Sequence, residues 1–255
     1  MKKILEIEKV SKNFGGVLAV DNITLDVFTG QIQGVIGPNG AGKTTLFNLI
    51  SGIYKPSSGK IIFENNDITG YPTYQINEKG LVRTFQNIRL FKDMNVLENV
   101  LVGRHSNEEE TMLDAIFKTK KHVNENRENK KVALELLDRV GLYDMRYEKP
   151  SSLSYGLQRR LEIARALASE PKVLMLDEPA AGMNEHETIV LTDFIRSLVS
   201  EDMAIMLIEH DMKLVMHLCD DIYVINYGKE IAQGSPSEVR TNKAVIDAYL
   251  GEEDN

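Results

Sequence analysis

The chain predicts an α/β fold built around a parallel sheet, and three features of the sequence carry that prediction. The first is Gly37-Pro38-Asn39-Gly40-Ala41-Gly42-Lys43-Thr44, which matches the pattern G-x-x-x-x-G-K-[ST] and follows the strand-like run Ile32 to Ile36. The second is a pair of compact apolar runs, Val173 to Leu176 and Ala204 to Ile208, separated by a helical stretch from Glu185 to Val199. Buried parallel strands joined by a crossover have this pattern. The third is a change of character between Asn87 and Ala168, where Val96 to Leu101, Val132 to Val140 and Leu161 to Leu167 carry apolar residues at helical spacing.

Taken in order, Ile4 to Ile7, Ile23 to Val27, Ile32 to Ile36 and Ile61 to Phe63 are short β-type runs. Gly15-Gly16, Gly30 and Pro56-Ser57-Ser58-Gly59 punctuate them, so the N-terminal part reads as strand-rich. Glycines in the loop let successive backbone N–H groups turn inward around phosphates, and a helix starting near Lys43 aims its positive dipole end at the same charge. Lys43 is suited to neutralise the outer phosphates, Thr44 offers a hydroxyl to Mg²⁺, and Thr45 continues the polar turn. The expected division is a core of residues 1–86 and 169–255 with an inserted helical lobe of residues 87–168. Within that lobe, Asn107 to Lys131 carries many charges of both signs and reads as a solvated helix face or loop. The acidic tail Glu252-Glu253-Asp254-Asn255 reads as frayed.

A length of 255 residues suffices for a substantial core. The formal charge of −8 argues against a protein that coats nucleic-acid phosphate. Cys219 is the single cysteine, which excludes an intramolecular disulfide and fits a reducing compartment. The start Met1-Lys2-Lys3-Ile4-Leu5-Glu6 meets an acidic residue before an apolar stretch develops, unlike a secretory signal. No apolar run approaches the roughly 20 residues that span a bilayer, so a membrane role is expected to come through a partner.

Downstream, Val173-Leu174-Met175-Leu176-Asp177-Glu178 ends an apolar strand with two carboxylates, expected at a buried sheet edge beside the glycine-rich loop. Asp177 can hold Mg²⁺ directly or through water, and Glu178 can polarise a water for attack on a γ-phosphorus. The same pair in isolation also suits a turn or helix cap. In Leu153-Ser154-Tyr155-Gly156-Leu157-Gln158-Arg159-Arg160, Ser154 stands where a helix N-cap belongs. Its hydroxyl, a nearby glycine N–H and the helix dipole can form a second phosphate pocket, or Ser154 can simply cap its own helix.

With these motifs in order, the chain resembles the nucleotide-binding subunit of ATP-binding cassette (ABC) transporters over almost its whole length. In that resemblance Gly37 to Thr44 is the phosphate loop, Gln86 the Q-loop glutamine, Leu153 to Gln158 the signature, Val173 to Glu178 the second acidic motif and His210 the switch histidine. Phe14 corresponds to the aromatic that stacks on adenine, although turn or core packing also suits it. Gln86 would approach Mg²⁺ and the attacking water, where a surface amide is the plain alternative. His210 would touch the γ-phosphate and orient Glu178, where a locally satisfied histidine is the alternative. The resemblance implies a P-loop NTPase core, an antiparallel N-terminal β subdomain and an inserted helical subdomain. The chain departs from Leu-Ser-Gly-Gly-Gln at Tyr155 and Leu157 while keeping Ser154 and Gly156. Asn184 stands where many members carry aspartate.

Arg83-Thr84-Phe85-Gln86-Asn87-Ile88-Arg89-Leu90-Phe91, Leu161 to Arg165, Ala180 to Asn184 and Ala248 to Glu252 look like the LivG-type ATPases of branched-chain amino acid importers. Cassettes for urea or short amides, and those of lipopolysaccharide export, are similar in some of these segments. The resemblance implies ATP and Mg²⁺ as ligands and a second ATPase subunit, identical or related, whose Ser154-bearing turn closes on the first subunit's nucleotide. It also implies two integral-membrane permease subunits and an extracytoplasmic solute-binding protein, with the chain peripheral at the cytoplasmic face. Soluble cassette ATPases of DNA repair, chromosome organisation or translation are the other class. Those usually carry coiled coils, zinc modules or two cassettes, none of which is present, and no nucleic-acid partner is expected.

Overall fold

The computed structural model describes residues 1–104 and 120–250. The chain divides into two compact units, Met1–Gln86 with Lys172–Asn255, and Asn87–Pro171.

In the first unit a four-stranded antiparallel sheet has the order β2-β1-β4-β5, formed by β1 (Lys3–Phe14), β2 (Val17–Phe28), β4 (Ser58–Phe63) and β5 (Asn66–Asp67). β1 and β2 run on well past the apolar stretches Ile4 to Ile7 and Ile23 to Val27. Cross-strand bonds carry the polar residues along: Lys12 pairs with Val20 and Asn13 with Leu18. A second sheet has the order β10-β9-β3-β8-β7-β6. Its strands are β3 (Ile32–Ile36), β6 (Leu81–Arg83), β7 (Val173–Asp177), β8 (Ala204–Ile208), β9 (Asp221–Asn226) and β10 (Lys229–Gly234). All are parallel except β10, which runs antiparallel to β9 at one edge. Every residue of β3, β7 and β8 is buried, because both faces of this sheet are covered.

One apolar core joins the two sheets, with Leu5, Val27 and Phe63 on one side, Val35, Met175 and Met206 on the other, and Phe47 of α1 (Lys43–Ile50) between them. Further helices complete the unit: α2 (Thr73–Glu78), α6 (Glu185–Leu198), α7 (Met212–Leu218), α8 (Pro236–Thr241) and α9 (Lys243–Leu250).

The second unit contains α3 (Val96–Arg104), α4 (Lys120–Arg139) and α5 (Tyr155–Leu167). Close approach of α3 and α5 requires Gly103, where an added Cβ would lie 2.1 Å from the Arg165 carbonyl oxygen. Arg104 donates to the Asn129 amide oxygen, the Ala168 carbonyl and the Glu170 carboxylate, at 3.1, 3.0 and 2.6 Å. These bonds tie the stretch after α5 to the helices, so the unit runs to Pro171 rather than ending at residue 168. A buried ion pair, Arg159 to Glu162 at 2.7 Å, lies along α5, and the second Glu162 oxygen accepts the Arg89 N–H. Of the charged segment 107–131, residues 107–119 lie outside the described residues, as do tail residues 252–255. The remainder is part of α4, where Glu128, Lys130 and Lys131 are exposed.

Candidate functional site

In the parallel sheet Val35 is in register with Ile208, and Ile208 with Asp177, so β3, β7 and β8 all end at the same rim. β6 joins them, with Arg83 opposite Met175. The glycine-rich loop, Gln86, the Asp177-Glu178 carboxylates and Glu209-His210 therefore emerge together at the C-terminal end of the sheet, where open α/β sheets place their ligands. The strand bearing Asp177 is interior, with β8 between it and β3, which corrects the expectation of a sheet edge.

The loop is shaped by contacts that forbid side chains. Gly37 has φ 153° and a Cβ there would fall 2.0 Å from the Ile225 carbonyl oxygen; Gly42 has φ 109° and a Cβ would fall 2.5 Å from that of Ala19. Gly42 also supplies the N-cap of α1 without a side chain, and no acidic residue stands in the first turn. That helix end is thus suited to receive an anion. Lys43 is buried, its ammonium donating to the carbonyls of Gly37 and Pro38 at 2.6 and 2.8 Å, while Thr44 is exposed and Thr45 half-buried. Ala19 lies on the β1–β2 hairpin, whose end carries Phe14. The Phe14 ring is 41% exposed, meets Tyr54 edge-on at 5.2 Å and has the Lys12 ammonium 5.0 Å from its centre.

Glu178 follows β7 in a left-handed conformation, φ 45°, which side chains seldom adopt. Its N–H donates to the Ile208 carbonyl at 3.0 Å. Its Oε2 accepts from the Gln86 amide at 2.7 Å and lies 3.8 Å from His210 Nδ1. Asp177 is nearly buried, and its Oδ2 accepts from Arg83 at 2.6 Å; the same guanidinium donates to Asn48 and Ser51. Thr44, Gln86 and Asp177 offer a hydroxyl, an amide and a carboxylate, hard donors of the kind Mg²⁺ accepts. No cluster of three or more His, Cys, Asp or Glu suited to a metal exists among the described residues. Mg²⁺ at a nucleotide needs none, because phosphates and water complete its shell.

Ser154 and Gly156 belong to the second unit, at the start of α5. Ser154 is the N-cap by backbone position, yet its side chain makes no capping bond and is exposed. The turn before it is held instead by Gln158, which donates to the Leu153 carbonyl at 2.9 Å. Tyr155 points to solvent, so its departure from the usual signature costs no buried contact.

Asn184 also acquires a reason. It is the N-cap of α6, accepting the Glu187 N–H at 3.0 Å while the Glu187 carboxylate accepts the Asn184 N–H. Asparagine and aspartate cap helices about equally, so Asn184→Asp should leave stability nearly unchanged. Asn184→Ala should cost about 1 kcal/mol in urea unfolding.

Three contributors were not singled out from the sequence: Arg83 against Asp177, Tyr54 against Phe14, and Glu209. The last reads in sequence only as the charge that ends an apolar run. It is 1% exposed, accepts the N–H groups of Ala180 and His210 at 2.9 and 3.2 Å, and burial pushes its carboxyl above the usual range.

Comparison with known proteins adds the wider context. Residues 20–181 match a family model described as ABC transporter, and residues 229–255 match one described as branched-chain amino acid ATP-binding cassette transporter. The chain is 47% identical to the high-affinity branched-chain amino acid transport ATP-binding protein BraF of Pseudomonas aeruginosa, over 98% of this chain and 99% of that one. It is 45% identical to the LivG protein of the same description from Escherichia coli K12, over 98% of each. Among solved structures, an ATP-binding cassette of an ABC transporter in its ADP conformation superimposes with a TM-score of 0.86 at 33% identity, covering 98% of this chain and all of that one.

Proposed function

The chain belongs to the ABC transporter family of ATP-binding proteins, and from that premise we propose that it is the ATP-hydrolysing subunit of a branched-chain amino acid importer. The observation that carries the chemistry is the convergence of Gln86 and His210 on the Glu178 carboxylate, at the rim where the glycine-rich loop begins.

The loop N–H groups and the start of α1 bind the β and γ phosphates, with Lys43 leaving its carbonyl partners to neutralise them. Phe14, braced by Tyr54, stacks on the adenine. Glu178 takes a proton from water as the water oxygen attacks the γ-phosphorus. The bond from that phosphorus to the β–γ bridging oxygen then breaks, leaving ADP and inorganic phosphate. Gln86 and His210 hold the carboxylate and the γ-phosphate in register. Mg²⁺, when held by Thr44, Asp177 and Gln86, supplies positive charge against the developing charge on the phosphates. Because Arg83 occupies one Asp177 oxygen, Asp177 acts through its other oxygen or through water.

Ser154 and Gly156 serve the nucleotide of a second cassette, identical or related, so each site is completed across a dimer that closes on ATP and opens after hydrolysis. No helix among the described residues is long and apolar enough to cross a membrane. In this reading transport runs through two separate permease subunits, with this chain at their cytoplasmic face and a solute-binding protein opposite. The branched-chain assignment is supported by the C-terminal match at residues 229–255 and by the relatives' names. Proteoliposomes containing the chain, its permease and its solute-binding protein test it. Leucine, isoleucine or valine should raise ATP hydrolysis several-fold, about 1 kcal/mol in rate. Stimulation by urea, a short amide or lipopolysaccharide in place of these would overturn the assignment.

A further inference from the structure

We propose that Glu209 is a positioning residue that ties the loop following Glu178 to His210, so that the two parts of the hydrolytic site move as one. This rests on the ATPase reading above.

A carboxylate buried to 1% exposure is costly unless its charge is met, and here backbone N–H groups meet it. One oxygen accepts the Ala180 N–H at 2.9 Å, two residues beyond Glu178, and the other accepts the His210 N–H at 3.2 Å. Among the described residues, the one side chain capable of positive charge within ion-pair reach is His210 itself. Its Nδ1 lies 3.9 Å from Glu209 and 3.8 Å from Glu178, between two carboxylates. The turn is anchored at a second point as well, because the Glu178 N–H donates to the Ile208 carbonyl at 3.0 Å. Residues 208–210 thus hold both Glu178 and the start of the loop that runs from Pro179 to Asn184. A shift of that loop must move Glu209, and with it the backbone of His210. Only a carboxylate can do this, since it presents two acceptor oxygens to two donors. An amide would set its NH₂ against one of the N–H groups, and a side chain one methylene shorter could not span both.

A double-mutant cycle on ATP hydrolysis by the full chain tests the inference. Glu209→Gln should lower kcat about tenfold while leaving the ATP KM and equilibrium ATP affinity within about twofold. A purely structural loss would instead weaken binding as well. In a His210→Ala background, measured under single-turnover conditions, the further loss from Glu209→Gln should fall below about twofold. If Glu209→Gln does not fold, Glu209→Asp should show the same pattern. Losses that multiply across the two sites, or a Glu209 variant within about twofold of wild-type kcat, overturn the inference. Wild-type turnover in His210→Ala alone overturns it as well, whereas absence of ATP hydrolysis by the unmodified chain would instead bring down the ATPase reading on which it rests.

Discussion

Glu178→Gln is expected to bind ATP with near wild-type affinity and to hydrolyse it at least about a hundredfold more slowly. The substitution keeps the side-chain length and an oxygen able to accept the Gln86 amide, which now donates to Glu178 at 2.7 Å. What disappears is the negative charge proposed to accept a proton from water. Positioned general bases contribute about 10²- to 10⁴-fold, or roughly 3 to 5 kcal/mol of barrier. Binding should survive because, in the proposed site, the phosphates are held by the glycine-rich loop and α1, to which Glu178 contributes nothing. Single-turnover hydrolysis beside equilibrium binding of ATP separates the two effects. Turnover within about threefold of wild type would show that another group takes the proton.

Lys43→Ala should fail at the earlier step, with ATP affinity falling about a hundredfold or more. The lysine ammonium is the one positive side chain inside the loop, drawn in by the carbonyls of Gly37 and Pro38. Each hydrogen bond involving a charged group contributes roughly 1.5 to 3 kcal/mol, so losing the phosphate contacts of one ammonium removes about two decades of affinity. Because those two carbonyls also lose their donor, unfolding by urea should be measured alongside. A folded Lys43→Ala protein with unchanged affinity would exclude Lys43 from phosphate binding.

Much of the fold was legible because its signals are local. Ile32 to Ile36 and Ala204 to Ile208 are strands in the structure with the same limits, since strands buried on both faces must be continuously apolar. Ser11-Lys12-Asn13 have no such signal; they are strand because Lys12 and Asn13 pair with β2 and Ser11 with Ser58 of β4, contacts between residues that nothing in their own neighbourhood announces. The strand Asp221–Asn226 is not among the runs read from the sequence, although Ile222 to Ile225 is apolar throughout, and its place beside β3 is a matter of topology. The glycine-rich loop could be read directly, because its backbone geometry restricts residue type at successive positions. Glu209 and Arg83 could not, because a charged residue looks solvated in sequence until burial and partners are known. Asn184 is intermediate: a cap residue three positions before a glutamate is a helix-start signature, visible once the start of α6 is placed.

The left-handed backbone at Glu178 sets protein durability against turnover. Glycine would relax that turn, since a side chain in this conformation costs roughly 1 kcal/mol. A library sorted on heat resistance alone would drift toward Glu178→Gly and collect sturdy, inert molecules. Anyone hardening this protein must therefore select on ATP hydrolysis as well as on survival.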